Sequence, residues 1–375
     1  MNAYFLLYTA MFGLMLLAWR KGRIPLYGII GVAVLLRLAL LPTLPFLSDD
    51  VYRYGWEGRL QRHGYSPARY APDSPELAFL RDAAYERINH KSIPTVYPGV
   101  SQQVFRAGTY LTDLFRWGGP SRWMSRDVWV IWTHVLGQKV LFVVFDLLTL
   151  WAVWRILGLR GMEDRHLLLY AWNPLVIIEI AGSGHLDSLG ISLLMLGILA
   201  WLKRKPLWAG LAMTACFLSK FAGLFLFPWS RGPMEFLRHW EFNGSLYSLT
   251  YALTGHNGLA ARGIVISIGL IGAAWVLSRK LPLETTAFVL LAPALLLSPV
   301  VHPWYVLWLV PFLCLFRSPA FLTWNATVVL SYTVLSRYRL NGIWELSPII
   351  QGLEYIPVYA GLAWEMRRRI HGGVI

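Results

Sequence analysis

The chain has 375 residues, of which 56% are hydrophobic, only 14% are charged and 19 are Trp. Soluble domains carry about a quarter charged residues, so this balance excludes an ordinary water-soluble fold and points to a bilayer as solvent. The net charge of +14 is spread in short basic clusters between apolar runs, a pattern that orients a membrane protein and meets anionic lipid rather than building a nucleic-acid groove. Cys216 and Cys314 are the two cysteines, and both sit inside apolar runs. They therefore supply neither a disulfide framework nor a cysteine-rich metal site.

Taken in chain order, apolar segments of spanning or near-spanning length fall at Tyr4–Trp19, Ile24–Leu41, Val130–Trp154, His166–Ala181, Leu186–Leu202 and Leu207–Trp229. Five more follow at Ile264–Leu277, Leu281–Ser298, Trp304–Phe316, Ala320–Leu335 and Ile349–Trp364. The expected fold is an all-α polytopic membrane protein of about eleven transmembrane helices, forming a single domain over residues 1–375. Every second junction is basic: Arg20-Lys21-Arg23, Arg155/Arg160/Arg165, Lys203-Arg204-Lys205, Arg279-Lys280, Arg317 and Arg367-Arg368-Arg369. By the positive-inside rule these six are cytoplasmic, which places the N-terminus outside and the C-terminus inside a cell inner (plasma) membrane. The first span has its positive charges after the apolar run, not before it, unlike a cleaved signal peptide.

The alternate junctions are then external, and residues 42–129 form a large loop among them. Ser74-Pro75-Glu76 reads as a helix cap followed by proline at the first helical position. Leu77, Leu80, Ala84 and Ile88 then recur at helical spacing, and Val104, Gly108, Leu111 and Phe115 make a second stripe. Both predict amphipathic helices lying along the membrane surface.

Chemistry-bearing residues gather on this external side. Ser48-Asp49-Asp50-Val51-Tyr52-Arg53-Tyr54 follows the second span. With Ser48 as cap, both aspartates fall in a first helical turn, where the dipole favours ionised carboxylates. Such a pair serves as a general base, or binds a divalent cation such as Mg or Mn through Asp49 and Asp50. The plainer alternative is that the acids cap a helix and Asp49 pairs with Arg53 at i,i+4. Arg37, Lys139 and Lys220 are cations inside apolar spans, and such residues face polar partners in a bundle interior. Lys139 and Lys220 fall in the external halves of their spans, and Asp146 lies two turns from Lys139 on one face. His302-Pro303-Trp304-Tyr305 reads as a helix start that attracts anions. His185 and Asp187 flank a short external turn, where spacing leaves a ligand, an acid–base pair and a solvated turn all open.

As an ordered set, these segments resemble the GT-C superfamily of membrane glycosyltransferases, which use polyprenyl-phosphate sugars. Bacterial mannosyltransferase-like members, including polyprenol-phosphomannose-dependent enzymes, are the nearest likeness. It is carried by Ser48-Asp49-Asp50-Val51-Tyr52-Arg53-Tyr54-Gly55-Trp56-Glu57-Gly58-Arg59, Gly64-Tyr65-Ser66-Pro67-Ala68-Arg69-Tyr70-Ala71-Pro72 and Ile93-Pro94-Thr95-Val96-Tyr97-Pro98-Gly99-Val100-Ser101-Gln102. Trp172-Asn173-Pro174-Leu175, Gly184-His185-Leu186-Asp187, Ser219-Lys220-Phe221-Ala222-Gly223 and Ser298-Pro299-Val300-Val301-His302-Pro303-Trp304-Tyr305 continue it, from about the second span to the ninth. The chain has Trp56-Glu57-Gly58 where the family pattern is Trp-Asp-Gly, and Pro98-Gly99 where a double proline is usual.

The resemblance implies a GT-C-like fold, with Asp49 as catalytic base and Asp50 second. It also implies a lipid-phosphate site drawing on Lys220, His302, Arg53, Arg59 and Lys139. Tyr52, Tyr97, Gln102, His185, Asp187, Trp304 and Tyr305 are the expected substrate contacts. The reaction so implied moves a mannose-like hexose from a polyprenyl-phosphate donor to the hydroxyl of a glycan, lipid or protein acceptor, with inversion. Membrane lipid is then a partner and nucleic acid is not. A transporter or flippase without chemistry is the competing reading, and it predicts broken helices with polar residues near the midplane. A lipid-A or cell-wall ligase of different fold is a third.

Overall fold

The computed structural model describes residues 1–120, 122–220 and 231–371. Their regular structure is helical, with no strand among the described residues and two isolated bridges, from Phe242 and Asn243 to Val300. The chain opens with α1 (Asn2–Lys21), α2 (Leu26–Leu40), α3 (Asp50–Arg62), α4 (Gly99–Arg116) and α5 (Arg126–Leu159). After an interrupted stretch come α6 (Asp187–Leu202), α7 (Pro206–Lys220), α8 (Arg231–His239), α9 (Gly258–Ser278), α10 (Leu283–Leu297) and α11 (Pro348–His371). Three of these, α1, α5 and α9, are long and apolar enough to cross a membrane. Helices α2, α6 and α10 and the segment Pro303–Phe316 are apolar but shorter. Each apolar segment read from the sequence contains helix, although part of Leu207–Trp229, from residue 221 on, lies outside the described residues.

The described chain divides into two compact units. One comprises Met1–Ile29, Leu157–Val176 and Trp240–Ile375. Here the segment predicted as one span from His166 is interrupted: Leu168–Ala171 and Pro174–Val176 are separate short helices. Pro174 has no N–H to continue the ladder, and Asn173 fills the gap by accepting from Leu175 N and donating to Leu169 O, each at 3.0 Å. Asn173 also donates to Asn325 Oδ1 at 3.0 Å, and Tyr8 Oη donates to Asn325 O at 2.6 Å. The segment from Pro303 is broken as well, with a 3₁₀ turn at Leu307–Leu309 before helix resumes at Val310–Phe316. Buried Glu354 on α11 accepts from Trp324 Nε1 at 2.9 Å and from Asn243 Nδ2 at 3.0 Å.

The other unit comprises Ile30–Ile156 and Ile177–His239. Its spine is one face of α5. Val130 O and Thr133 Oγ1 accept from Arg116 of α4, His134 Nε2 lies 2.9 Å from Tyr52 O of α3, and Gln138 donates to Phe105 O at 3.0 Å. The next residue, Lys139, donates from Nζ to Leu40 O at 3.0 Å and Thr43 O at 2.6 Å. Lys139 therefore satisfies carbonyls at the end of α2. Asp146 pairs with Arg37 of α2, not with Lys139, and both members are fully buried. The expected external-loop helices are also revised. Residues 75–87 form two 3₁₀ turns, Pro75–Leu80 and Tyr85–Arg87, because Arg81 and Ile88 turn to extended backbone after each. In α4 the buried face is Ser101, Gln102, Phe105, Gly108, Thr109 and Thr112. Of the predicted stripe only Gly108 is fully buried, and the rest lies at its margin.

A buried ion pair stripped of one partner leaves an uncompensated charge, at a cost of about 3–5 kcal/mol. Asp146→Leu and Arg37→Met should each lower the thermal unfolding temperature in detergent sharply, and the double variant should recover much of the loss. Simple additivity of the two single effects would show that the pair does not hold α2 to α5.

Candidate active site

The site begins where a polar helix is forced into the interior. Every residue of α3 from Val51 to Gly58 is buried, Arg53 and Glu57 included. That burial is possible because the charges satisfy each other: Arg53 Nε donates to Glu57 Oε1 at 2.8 Å. The rest of the guanidinium takes backbone carbonyls, His90 O at 3.0 Å and Ile93 O at 2.5 Å. Glu57 Oε2 accepts from Thr95 Oγ1 at 2.7 Å and Gln102 Nε2 at 2.6 Å. Arg53 is thereby engaged in holding the loop. Arg59 likewise binds Asp82 Oδ2 at 2.5 Å and Leu80 O at 2.8 Å. Gln102 serves the same lattice, and Tyr52 packs with its ring buried and its carbonyl against His134.

At the N-terminus of α3, Asp49 is the cap residue by position, yet its side chain makes no capping bond. Ser48 Oγ instead accepts from Asp50 N, at 3.3 Å. The two carboxylates face the loop that Arg53 anchors: Asn89 Nδ2 donates to Asp49 Oδ1 at 2.6 Å and to Asp50 Oδ1 at 3.0 Å. One amide therefore ties both acids, and the expected Asp49–Arg53 pair is replaced by Arg53–Glu57. Asp49 keeps a solvent-exposed side while its carboxyl is crowded below. Desolvation, then the charge of Asp50, push its pKa up to about 6, and the Asn89 hydrogen bond opposes the rise. Tyr97, behind Asp50, is held well above the usual phenol range by burial first and the Asp50 charge second.

A second chain of charges arrives from residues 179–187. Ile177–Gly182 is a π-helical turn, a form that concentrates at functional sites. It carries Glu179, whose Oε2 lies 3.3 Å from His185 Nε2, while His185 Nδ1 stands 4.0 Å from Asp50 Oδ2. Gly184 between them has φ +78, and a Cβ there would come within 2.9 Å of Lys139 and 3.0 Å of Val51. Only glycine lets this turn close against α3. Ser183 to Asp187 are all buried, so the solvated-turn alternative does not apply. Lys220 ends α7 with its ammonium on the Asp187 carboxylate. Sequence separation hid this pair, since helical spacing offers Lys220 no acid.

Asp49, Asp50, His185, Asp187, Lys220 and Tyr97 thus belong to one unit. His302, Trp304 and Tyr305 belong to the other. His302 is the cap before Pro303, as expected, and its ring stacks on Trp304 at 4.3 Å and Phe242 at 4.7 Å. The α-helical turn it opens ends after Val306. Phe221, Ala222 and Gly223, which follow Lys220, lie outside the described residues. Asn89 and Glu179 were not singled out by sequence reasoning. Asn89 carries no motif, whereas Glu179 was detectable as an acid inside an apolar run. Among the described residues, no group of three or more His, Cys, Asp and Glu side chains is arranged to hold a metal ion.

With this geometry in place, the comparison with known families is informative. Residues 118–231 match the model of the MptA_B family, alpha-(1->6)-mannopyranosyltransferase, N-terminal domain. The match fits a GT-C mannosyltransferase-like protein. It supports a glycosyltransferase. The matched stretch contains Glu179, His185, Asp187 and Lys220 but stops short of the Asp49–Asp50 pair, and it covers under a third of the chain. No curated protein and no solved structure matches the chain.

A folded-state pKa raised from 3.8 to about 6 means that this carboxyl stabilises the fold most at low pH. That contribution is lost as pH rises through about 6, so an ionised Asp49 at neutral pH costs stability. Removing the opposing amide with Asn89→Ala should raise the Asp49 midpoint further. Carbodiimide labelling of Asp49 across pH, read by mass spectrometry, measures it, and a midpoint that stays or falls would refute the role given to Asn89.

Proposed function

We propose that the protein transfers a mannose-like hexose from a polyprenyl-phosphate donor to an acceptor hydroxyl, at the external membrane face and with inversion. The observation that carries this reading is the Asp49–Asp50 pair. It stands at the head of a buried helix, released from capping and tied by Asn89, with the pKa of Asp49 raised to about 6. A base works best when its proton affinity lies near the operating pH, and Asp49 meets that condition.

The acceptor oxygen attacks the anomeric carbon as its proton passes to Asp49, and the bond from that carbon to the phosphate oxygen breaks. Polyprenyl phosphate leaves with the electron pair. Because phosphate is a good leaving group, the demand is for positive charge at the departing oxygens more than for a general acid. Lys220, paired with Asp187, is the cation assigned to this role, and its side chain is 21% exposed, so a phosphate can reach it. Asp187 holds the ammonium in place until the donor arrives. His185, between Asp50 and Glu179, orients the second carboxylate. If a divalent cation assists, Asp49 and Asp50 are its protein ligands, with substrate phosphate and water completing the oxygen shell.

A flippase without chemistry draws support from one specific observation, the interrupted helices at residues 164–182 and 303–316 with Asn173 and Asn325 buried beside one of them. Incubating purified protein with polyprenyl-phosphate hexoses and measuring released polyprenyl phosphate distinguishes the two readings. Asp49→Asn keeps size and shape but cannot take a proton. It should lower turnover by about a hundred- to ten-thousand-fold, with donor binding near wild type and thermal stability at neutral pH no lower than wild type. Loss in Asp50→Asn alone would move the base by one residue, and full turnover in both variants would end the mechanism.

The orientation is separately testable. Single cysteines at Ala78, in the 42–129 loop, and at Met366, beside the C-terminal arginines, should label from opposite sides of sealed vesicles. Labelling from one side would overturn the external placement of the site.

A further inference from the structure

Away from the carboxylates, α3 ends at a cavity of about 400 Å³. Gln61, Gly64, Tyr65, Ser66, Pro67 and Ala68 form one wall, and Thr95 to Gln102 form the other. Pro233 of α8 closes one side; α8 approaches so closely that a Cβ on Gly232 would meet Thr95 O at 2.3 Å. This volume lies within the roughly 300–1,000 Å³ of small-molecule sites.

The chemistry of the lining is selective. It contains no charged side chain, in a protein of net charge +14. Gln61 spends its amide nitrogen on three acceptors, Glu57 O at 3.1 Å, Gln102 O at 3.0 Å and Gln102 Oε1 at 2.8 Å. Two of these are backbone carbonyls, which fixes the amide with nitrogen inward and leaves its oxygen as an acceptor for the cavity. The opposite wall is held equally firmly, since Gln102 Nε2 is fastened by Glu57 and Thr95. Tyr65 and Tyr97 add ring faces, and the Tyr65 and Ser66 hydroxyls add donors that also accept. A rigid, neutral site of aromatic faces and hydroxyl-seeking oxygens suits an uncharged polyhydroxylated ring. It offers nothing to a phosphate or a carboxylate.

Its position sets what the ring belongs to. Gln61 lies eleven residues beyond Asp50 on α3, about 16 Å along the axis at 1.5 Å per residue. That is too far for one sugar to touch both ends. We propose that this cavity is a carbohydrate subsite, holding an uncharged sugar of an oligosaccharide acceptor several units from the hydroxyl that reacts near Asp49. The assignment rests on the glycosyltransferase reading, and it makes the acceptor a glycan, selected for chain length.

Acceptor KM should fall about tenfold between an α-1,6-linked mannose disaccharide and the tetrasaccharide. Gln61→Leu removes the oxygen, and Ala68→Phe fills the mouth from an exposed position that tolerates bulk. Both should bring the tetrasaccharide KM up to that of the disaccharide. Saturation-transfer NMR of the tetrasaccharide on donor-free protein gives an independent readout, with contact in the wild type and none in Ala68→Phe. Transfer with a KM indifferent to length, or variants that keep the wild-type ratio, would overturn the subsite and leave the activity standing. Specific binding without transfer would support the subsite and overturn the glycosyltransferase reading, while neither binding nor transfer would overturn both.

Discussion

The ion pair between Arg53 and Glu57 is the interaction on which the packing of α3 and the 90–102 segment depends. A helix reading Asp-Val-Tyr-Arg-Tyr-Gly-Trp-Glu-Gly has no apolar stripe to bury, and alone it would stay in water. Pairing the two charges at i,i+4 and completing their shells with the 90–102 segment makes interior burial possible. The same bonds explain why His90 can sit at a positive φ of 44. Its carbonyl is gripped by Arg53, so surrounding structure sustains the backbone strain. Asn89, next in line, is delivered to the aspartates as a result.

Much of the architecture was legible because membrane burial writes itself in long apolar runs. The junctions between those runs placed helices to within a few residues, and Ser48-Asp49-Asp50 marked the head of α3 one residue early, Asp49 taking the cap position expected of Ser48. Where the reading failed, a non-local partner was responsible. Lys139 reads as a stray cation inside a span, yet it satisfies carbonyls almost a hundred residues earlier in sequence. Lys220 reads as isolated and is paired across thirty-three residues. No helical spacing rule reaches such distances. The expected helix over residues 77–88 failed for another reason: apolar spacing at Leu77, Leu80, Ala84 and Ile88 was satisfied by burying those residues individually in or beside two 3₁₀ turns, without a continuous helix.

The departure at Trp56-Glu57-Gly58 gains a physical meaning in this light. A glutamate has one methylene more reach than an aspartate, and this one meets Arg53 with one oxygen and both Thr95 and Gln102 with the other. The residue is a keystone of the loop. Asp49 and Asp50 stand outside this lattice, tied instead by Asn89, and burial of the Asp49 carboxyl raises its proton affinity.

One consequence follows from the length of α5. Its 34 residues amount to about 51 Å of helix, well beyond the roughly 30 Å of a bilayer's hydrocarbon core. The contacts that fix α3 and α4 run along its early turns, from Val130 to Gln138, so the helix that Asp49 and Asp50 head is mounted on the rod itself and its height is set by protein geometry. The surplus length lets the helix tilt in a thin membrane or stand upright in a thick one. Hydrophobic mismatch is thereby absorbed at the anchor, and the spacing among the carboxylates, Asn89 and His185 is buffered against lipid composition.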